Sequence, residues 1–213
     1  MSRPDFSNVI SIVTSTETIL NDPYLYSNLV PFVLQMKKDL ERHEGFRPYA
    51  YPDPLSRLAK KYRGLDWGFK PARELLALVK DMDENDGRPW TVGFGDTHGV
   101  TPDSTRNRQQ AERKLERHII DYLAALEAAL PWVKQASFVT RTVLLNMAFN
   151  MGLKGLLGFR NTLRFIEAKD YARAASNMTQ SLWYRQVGGR AKELVERMRT
   201  QTIQPSHKAK EKL

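Results

Sequence analysis

Two carboxylic acids stand nine residues apart in "RHEGFRPYAYPDP": Glu44 beside a glycine, and Asp53 between two prolines. What such a pair can do depends on whether its surroundings treat the two acids alike. Glu44 ends an apolar-patterned segment, where a helix would set it at the negative end of the macrodipole and favour its protonated form. Cover from Phe46 and Tyr49 would act the same way. Asp53, on a proline-bounded turn open to water, would stay charged. An acid that can release a proton, beside a carboxylate that can steer a water, is the equipment for opening an acetal such as a glycosidic bond. Spacing alone leaves the plainer alternative open, a solvated helix end followed by an ordinary Asp-Pro turn.

The elements that must position this pair are legible in outline. Leu29, Phe32, Val33, Met36 and Leu40 recur at helical spacing, which predicts a helix from Leu29 closed by Gly45 as its cap. Residues 1–28 form a weakly patterned N-terminal extension. The steps Arg47-Pro48 and Tyr51-Pro52 bias residues 46–53 towards extended chain. "PARELLALVKDMDE" opens on Pro71 and predicts a short helix. "WTVGFG" reads as a strand headed by Trp90 and Thr91, with Gly93 and Gly95 a residue apart. From about Thr105 the pattern is helical almost to the end. "RQQAERKLERHIIDYLAALEAAL" is long and amphipathic, and the nearly all-apolar "SFVTRTVLLNMAFNMG" is the expected buried helix. The fold class is therefore α+β, mostly α: a small mixed lobe over about 41–104, a larger helical lobe over about 105–200, and a basic tail at 201–213.

Composition narrows the function classes. The chain has 213 residues and no cysteine, so neither disulfides nor thiolate metal sites contribute. Lys and Arg number 33 against 24 acidic residues, a formal charge of +9, which favours polyanionic partners: nucleic acid, anionic membrane or an acidic wall polymer. No recognition-helix motif, zinc signature or clustered basic stripe supports the nucleic-acid version. "VISIVTSTETIL" is too short and too polar for a signal core or a membrane span. The expectation is a cytoplasmic chain whose exit needs another protein.

Five motifs in one order, "EGFRPYAYPD", "TVGFGDTHG", "NMAFNMG", "GFRNTLRFI" and "SLWYRQVGGRAKELVERMR", together resemble the phage T4-type lysozymes, the endolysin muramidases. The resemblance runs from about residue 36 to residue 200. It implies a two-lobed lysozyme-like fold with a cleft between the lobes. It also implies hydrolysis of the β-1,4 bond between N-acetylmuramic acid and N-acetylglucosamine in peptidoglycan, with inversion and with no metal or cofactor. By position, Glu44 matches the family's proton donor, Asp53 its second catalytic carboxylate, and Thr91 the threonine that helps hold the attacking water. Phe149, Thr162 and Asn177 match substrate contacts, as does Thr97 on the far wall, where the family residue is apolar. Arg190 matches the arginine that pairs with the catalytic glutamate. Gly93 and Gly95 would let a glycan approach the strand backbone. Trp183 and Tyr184 are expected to pack the helical lobe. The partners implied are peptidoglycan glycan strands and the anionic cell envelope, for a monomer held in the host cytoplasm until holin-mediated release, or carried in the virion. The competing readings are a lytic transglycosylase, using the same glutamate but forming anhydromuramic ends, and a basic wall- or nucleic-acid-binding protein without catalysis.

Two departures from the family stand out. Residues 54–88 are a helical insertion where the family has a short hairpin, and Trp67 and Phe69 within it suit either glycan contact or anchoring. The family's histidine after "GxG" is Asp96 here, while His118 stands on the long helix near the place of that histidine's acidic partner. The expectation is a swapped pair, Asp96 with His118, with His98 or solvent as the alternative partner of Asp96.

Overall fold

The computed structural model of the chain describes residues 23–203. The expectations for residues 1–22 and for most of the basic tail lie outside the described residues. Contacts divide the chain into two compact units, one up to Ile120 and one from Asp121 onward.

In the first unit, helix α1 (Pro23–Glu44) begins six residues ahead of Leu29, because proline's missing N–H is no loss at a first helical position. Phe32, Met36 and Leu40 recur every four residues and are fully buried. Gly45 closes the helix with φ 68°, and its N–H returns to the Glu41 carbonyl at 3.1 Å, a left-handed cap that only glycine adopts freely. Glu44 is thus the last helical residue, as the sequence predicts.

Strand β1 (Arg47–Pro52) pairs antiparallel with β2 (Trp90–Gly93), in the register Arg47 with Gly93, Tyr51 with Thr91 and Pro52 with Trp90. An irregularity between Arg47 and Tyr51 accommodates a second neighbour on β1: Ala50 donates to Ser104 (3.1 Å), and Arg106 donates to Pro48 (2.9 Å).

The insertion is a packed part of this unit. It holds two short helices, α2 (Arg57–Lys61) and α3 (Ala72–Leu76), and a 3-10 turn, Glu84–Gly87. α3 is shorter than its sequence pattern suggests, because Val79 and Met82 turn inward against a core of Ala50, Leu58, Ala72 and Trp90, a tertiary gain that overrides helix propensity. Trp67 settles the question the sequence left open. Its ring meets Trp90 edge-on with centroids 5.9 Å apart, and its indole N–H donates to the Tyr62 carbonyl at 3.0 Å, so it anchors. Phe69 stays exposed beneath the Arg47 guanidinium, 4.1 Å from its ring centre.

Helix α4 (Arg108–Ala129) is the long amphipathic helix, with Ala111, Leu115 and Ile119 buried. An ionic cluster ties it to α1. Lys37 Nζ donates to Glu112 (3.1 Å) and Glu116 (2.9 Å), while Arg108 Nε donates to Glu112 (2.9 Å). Burial works against the Lys37 charge, but its two carboxylates outweigh it and hold the ammonium above the ordinary lysine range. Burial likewise opposes ionisation of Glu112, and Lys37 with Arg108 overcomes it, leaving that carboxyl below its ordinary value.

The second unit is helical throughout its described residues. A 3-10 turn, Pro131–Gln135, leads to α5 (Phe138–Leu157), capped by Ser137 Oγ accepting from Thr140 N–H at 3.0 Å. α5 breaks at Gly152 (φ 76°), where "NMG" predicts its end, then resumes to Leu157. Four shorter helices follow: α6 (Arg160–Glu167), α7 (Tyr171–Thr179), α8 (Leu182–Val187) and α9 (Gly189–Thr200). α7 packs on both α6 and α9, burying Ala174, Ala175 and Met178.

Lys37→Met strips the ammonium from two carboxylates, one of them only 5% exposed. Urea denaturation at pH 7 is expected to show a loss on the order of 2 kcal/mol, between the surface and buried limits for ion pairs. The part carried by Glu112 is fully present above its unfolded value of 4.5 and fades as pH falls through the lower folded value. The difference between wild type and variant should therefore shrink at pH 3.

Candidate active site

Glu44 is half-buried at the end of α1. Its Oε2 lies 3.8 Å from the point where a Cβ on Gly95 would sit. Gly95 (φ +90°) is exposed and presents only backbone to that carboxylate. Phe46 and Phe94 stack beside the helix end with centroids 5.4 Å apart, and the Arg108 guanidinium lies over both rings at 5.8 and 5.7 Å.

Asp53 is held by its own backbone. Its N–H is shared between the carbonyls of Gly87 (3.0 Å) and Pro89 (3.1 Å), and Oδ1 accepts from Leu55 N–H at 2.6 Å, an Asx turn that fixes the carboxylate. The register sets Thr91 directly opposite Tyr51, two residues before Asp53, which follows the end of β1. Thr91 is 8% exposed, and its hydroxyl makes no hydrogen bond to any described residue.

Tyr51 is half-buried at this register position. Burial raises its phenol above the ordinary tyrosine value; the Glu44 charge and then the Asp53 charge add to this, with Arg47 opposing. Both carboxylates thus act on one hydroxyl. Sequence reasoning passed over Tyr51, although its place two residues before Asp53 on an extended segment was the available signal.

Two expectations in this unit are corrected. Gly93 (φ +70°) does not open the strand to a ligand: it is buried, and a Cβ there would meet the Ala111 Cβ at 3.1 Å. Its missing side chain admits helix α4. The pair Asp96 with His118 does not form. Asp96 is 5% exposed; Oδ1 accepts from His98 N–H at 3.1 Å, whereas Oδ2 has no hydrogen bond and lies 3.9 Å from the Arg106 guanidinium. The nearby cation is therefore Arg106, from the segment beside β1, while His118 shares only the wall of the same small cavity. Thr97, expected as a substrate contact, lies exposed on a groove of about 580 Å³, with Glu84, Arg88 and Trp90 among its walls.

In the second unit, Thr162 is 1% exposed and donates to Asn177 Oδ1 at 2.7 Å. Direct contact with a sugar does not fit such burial; the hydroxyl holds Asn177 so that its amide NH2 donors remain available. Asn177 lines an open groove of about 490 Å³ with Asn161, Gln180 and Ser181. Phe149 is half-buried and packs on Tyr122, centroids 5.4 Å apart. Arg190 Nε donates to Asn146 Oδ1 at 2.7 Å, and the same guanidinium reaches the Asn146 carbonyl at 3.4 Å. Asn146, wholly buried in "NMAFNMG", is a positioning residue the sequence reading did not single out. Trp183 is buried and donates to Asn150 Oδ1 at 2.9 Å, a packing role as expected.

Residues 76–201 match the family described as phage lysozyme. The chain belongs to that family. The lysozyme match holds Thr91, Phe149, Thr162, Asn177 and Arg190, while Glu44 and Asp53 precede it. A "Probable T4-type lysozyme 1" of Dictyostelium discoideum is 31% identical over 70 residues, covering 33% of this chain and 41% of that protein. The "Pre-baseplate central spike protein Gp5" of Enterobacteria phage T4 is 28% identical over 165 residues, covering 74% of this chain and 26% of that protein. This chain thus spans less than half the length of either relative. The mostly helical architecture with its small two-stranded sheet agrees with the lysozyme-like fold.

Gly93, at the end of β2, and Gly95, in the turn that follows, should respond differently to alanine. Gly93→Ala meets both a positive φ and the Ala111 side chain, so a loss of about 2 kcal/mol is expected. At Gly95 the nearest neighbour, Glu44 Oε2, is at ordinary contact distance, so Gly95→Ala should lose only the backbone strain, about 1 kcal/mol. Thermal unfolding of the two variants side by side checks the order.

Proposed function

We propose that this chain is a peptidoglycan muramidase that cuts the β-1,4 bond between N-acetylmuramic acid and N-acetylglucosamine. Glu44 gives its proton to the glycosidic oxygen as the C1–O bond breaks. Water held by Asp53 and Thr91 adds to C1 and passes a proton to Asp53. Attack from the face opposite the leaving group inverts the anomeric centre. Arg190, held by Asn146 at 2.7 Å, is the counterpart of the arginine that the family resemblance assigns to the catalytic glutamate. Phe149 and Asn177 contact the glycan, and the net charge of +9 favours retention on the anionic envelope.

The support that carries the reading is the phage lysozyme match together with the strand register, which sets Thr91 opposite Tyr51, two residues before Asp53. The free Thr91 hydroxyl speaks for a held water and so for hydrolysis over transglycosylation. As an endolysin, the chain waits in the host cytoplasm for a holin-type pore. Similarity to the phage T4 central spike protein over most of this chain favours a second setting, a virion-borne lysozyme acting at entry.

Glu44→Gln and Asp53→Asn should each lower hydrolysis of purified sacculi by at least about 100-fold, the scale of a lost general acid or base, while sedimentation with sacculi persists. Mass spectrometry of the wild-type digest should show reducing muramic ends. Undiminished lysis by Glu44→Gln, or anhydromuramic ends, would refute the mechanism.

A further inference from the structure

The insertion does more than thicken the small unit. Together with β1 it forms a recess of about 600 Å³ whose wall includes Arg47, Tyr51, Lys60, Arg63, Leu65 and Trp67. Pro52 and Pro54, the residues flanking Asp53, complete the same wall, so the recess opens beside the second catalytic carboxylate. Every lining residue belongs to one compact unit.

The charges in this recess differ from those elsewhere on the insertion. Arg57 pairs with Asp86 (3.1 Å), Lys61 with Asp81, Lys70 with Asp66 (3.2 Å), and Arg73 with Asp103 (2.8 Å). The three recess cations, Arg47, Lys60 and Arg63, have no carboxylate partner among the described residues. Arg63 donates only to the Lys60 carbonyl, at 3.2 Å, and Arg47 is spread over the Phe69 ring. Gly68 makes that placement feasible. It is buried at φ +83°, and a Cβ there would stand 2.7 Å from Arg47 Cδ. Its carbonyl also accepts from Tyr49 N–H at 3.2 Å, pinning the insertion to β1. Three uncompensated cations over a floor of Trp67, Leu65 and Tyr51 fit a ligand bearing carboxylates on a partly aliphatic frame.

We propose that this recess binds the acidic peptide branch that N-acetylmuramic acid carries next to the bond being cut. The proposal rests on the muramidase reading, since the branch and the scissile bond belong to the same sugar, and the recess lies directly beside Asp53. A phosphate polymer would satisfy the cations but not the apolar floor, and has no fixed place beside the cut bond. Lys60 and Arg63 are specificity residues in this scheme, and they act on binding alone.

The test is calorimetric titration of the full chain with the stem tetrapeptide released from peptidoglycan by an amidase, and with the same peptide after its carboxyls are amidated. Lys60→Gln/Arg63→Gln should weaken binding at least about tenfold, as should amidation, the scale of lost charge-assisted hydrogen bonds. Hydrolysis of peptide-free glycan strands should be the same for variant and wild type. The charge-conserving Lys60→Arg/Arg63→Lys should restore binding, which a merely misfolded recess would not allow. Equal binding by wild type and the glutamine variant, equal binding of the amidated peptide, no binding by wild type, or preference for inorganic phosphate over the peptide would each overturn the assignment. The Glu44→Gln measurement bears on the acid and the titration on the recess, so either can fail alone.

Discussion

A slip of one residue between β1 and β2 would turn Thr91 to the opposite face from Tyr51 and dismantle the candidate site. The register Tyr51 with Thr91 and Pro52 with Trp90 is therefore the constraint on which the rest depends. It is enforced from both sides. Trp90 is buried in a core with Ala50 and Leu58, so a slipped strand would expose it, while the amide of Asp53 is shared by two carbonyls just ahead of β2. Glu44 reaches the same neighbourhood from another direction, because Gly45 stops α1 and sends the chain straight into β1.

The second unit solves a different problem, presenting polar groups from a helical surface without leaving them loose. Thr162 and Asn146 are wholly or almost wholly buried, and each spends its oxygen on a partly exposed neighbour, Asn177 or Arg190. Such supporting hydrogen bonds lock the rotamers of the groups proposed to meet the ligand. A site held this way forfeits less entropy on binding than one built from free surface side chains.

Elements with a strong period or a firm stop were legible from the sequence: α4, the buried α5 with its break at Gly152, the end of α1 at Glu44, and strand β2. The α3 helix was overestimated, because the inward turn of Val79 and Met82 is a tertiary gain with no local signal. The roles of Gly93 and Asp96 were misread for the same reason. A glycine's spacing does not say whether a ligand or a helix will fill the room it leaves, and a buried carboxylate takes the nearest cation, here Arg106, from a loop that no periodicity places. Glu44, Asp53 and Thr91 are candidates that motif order alone offers. Tyr51 and Asn146 are not, since what marks them, a strand register and a tertiary hydrogen bond, has no local signal.

The amide of Asp53 has one of its two acceptors, the Gly87 carbonyl, inside the insertion, and the core beneath it counts Leu58 and Ala72 from the same segment. This segment is accordingly not a detachable ornament. An engineer cutting out residues 54–88 would have to rebuild the footing of the aspartate as well as close the gap.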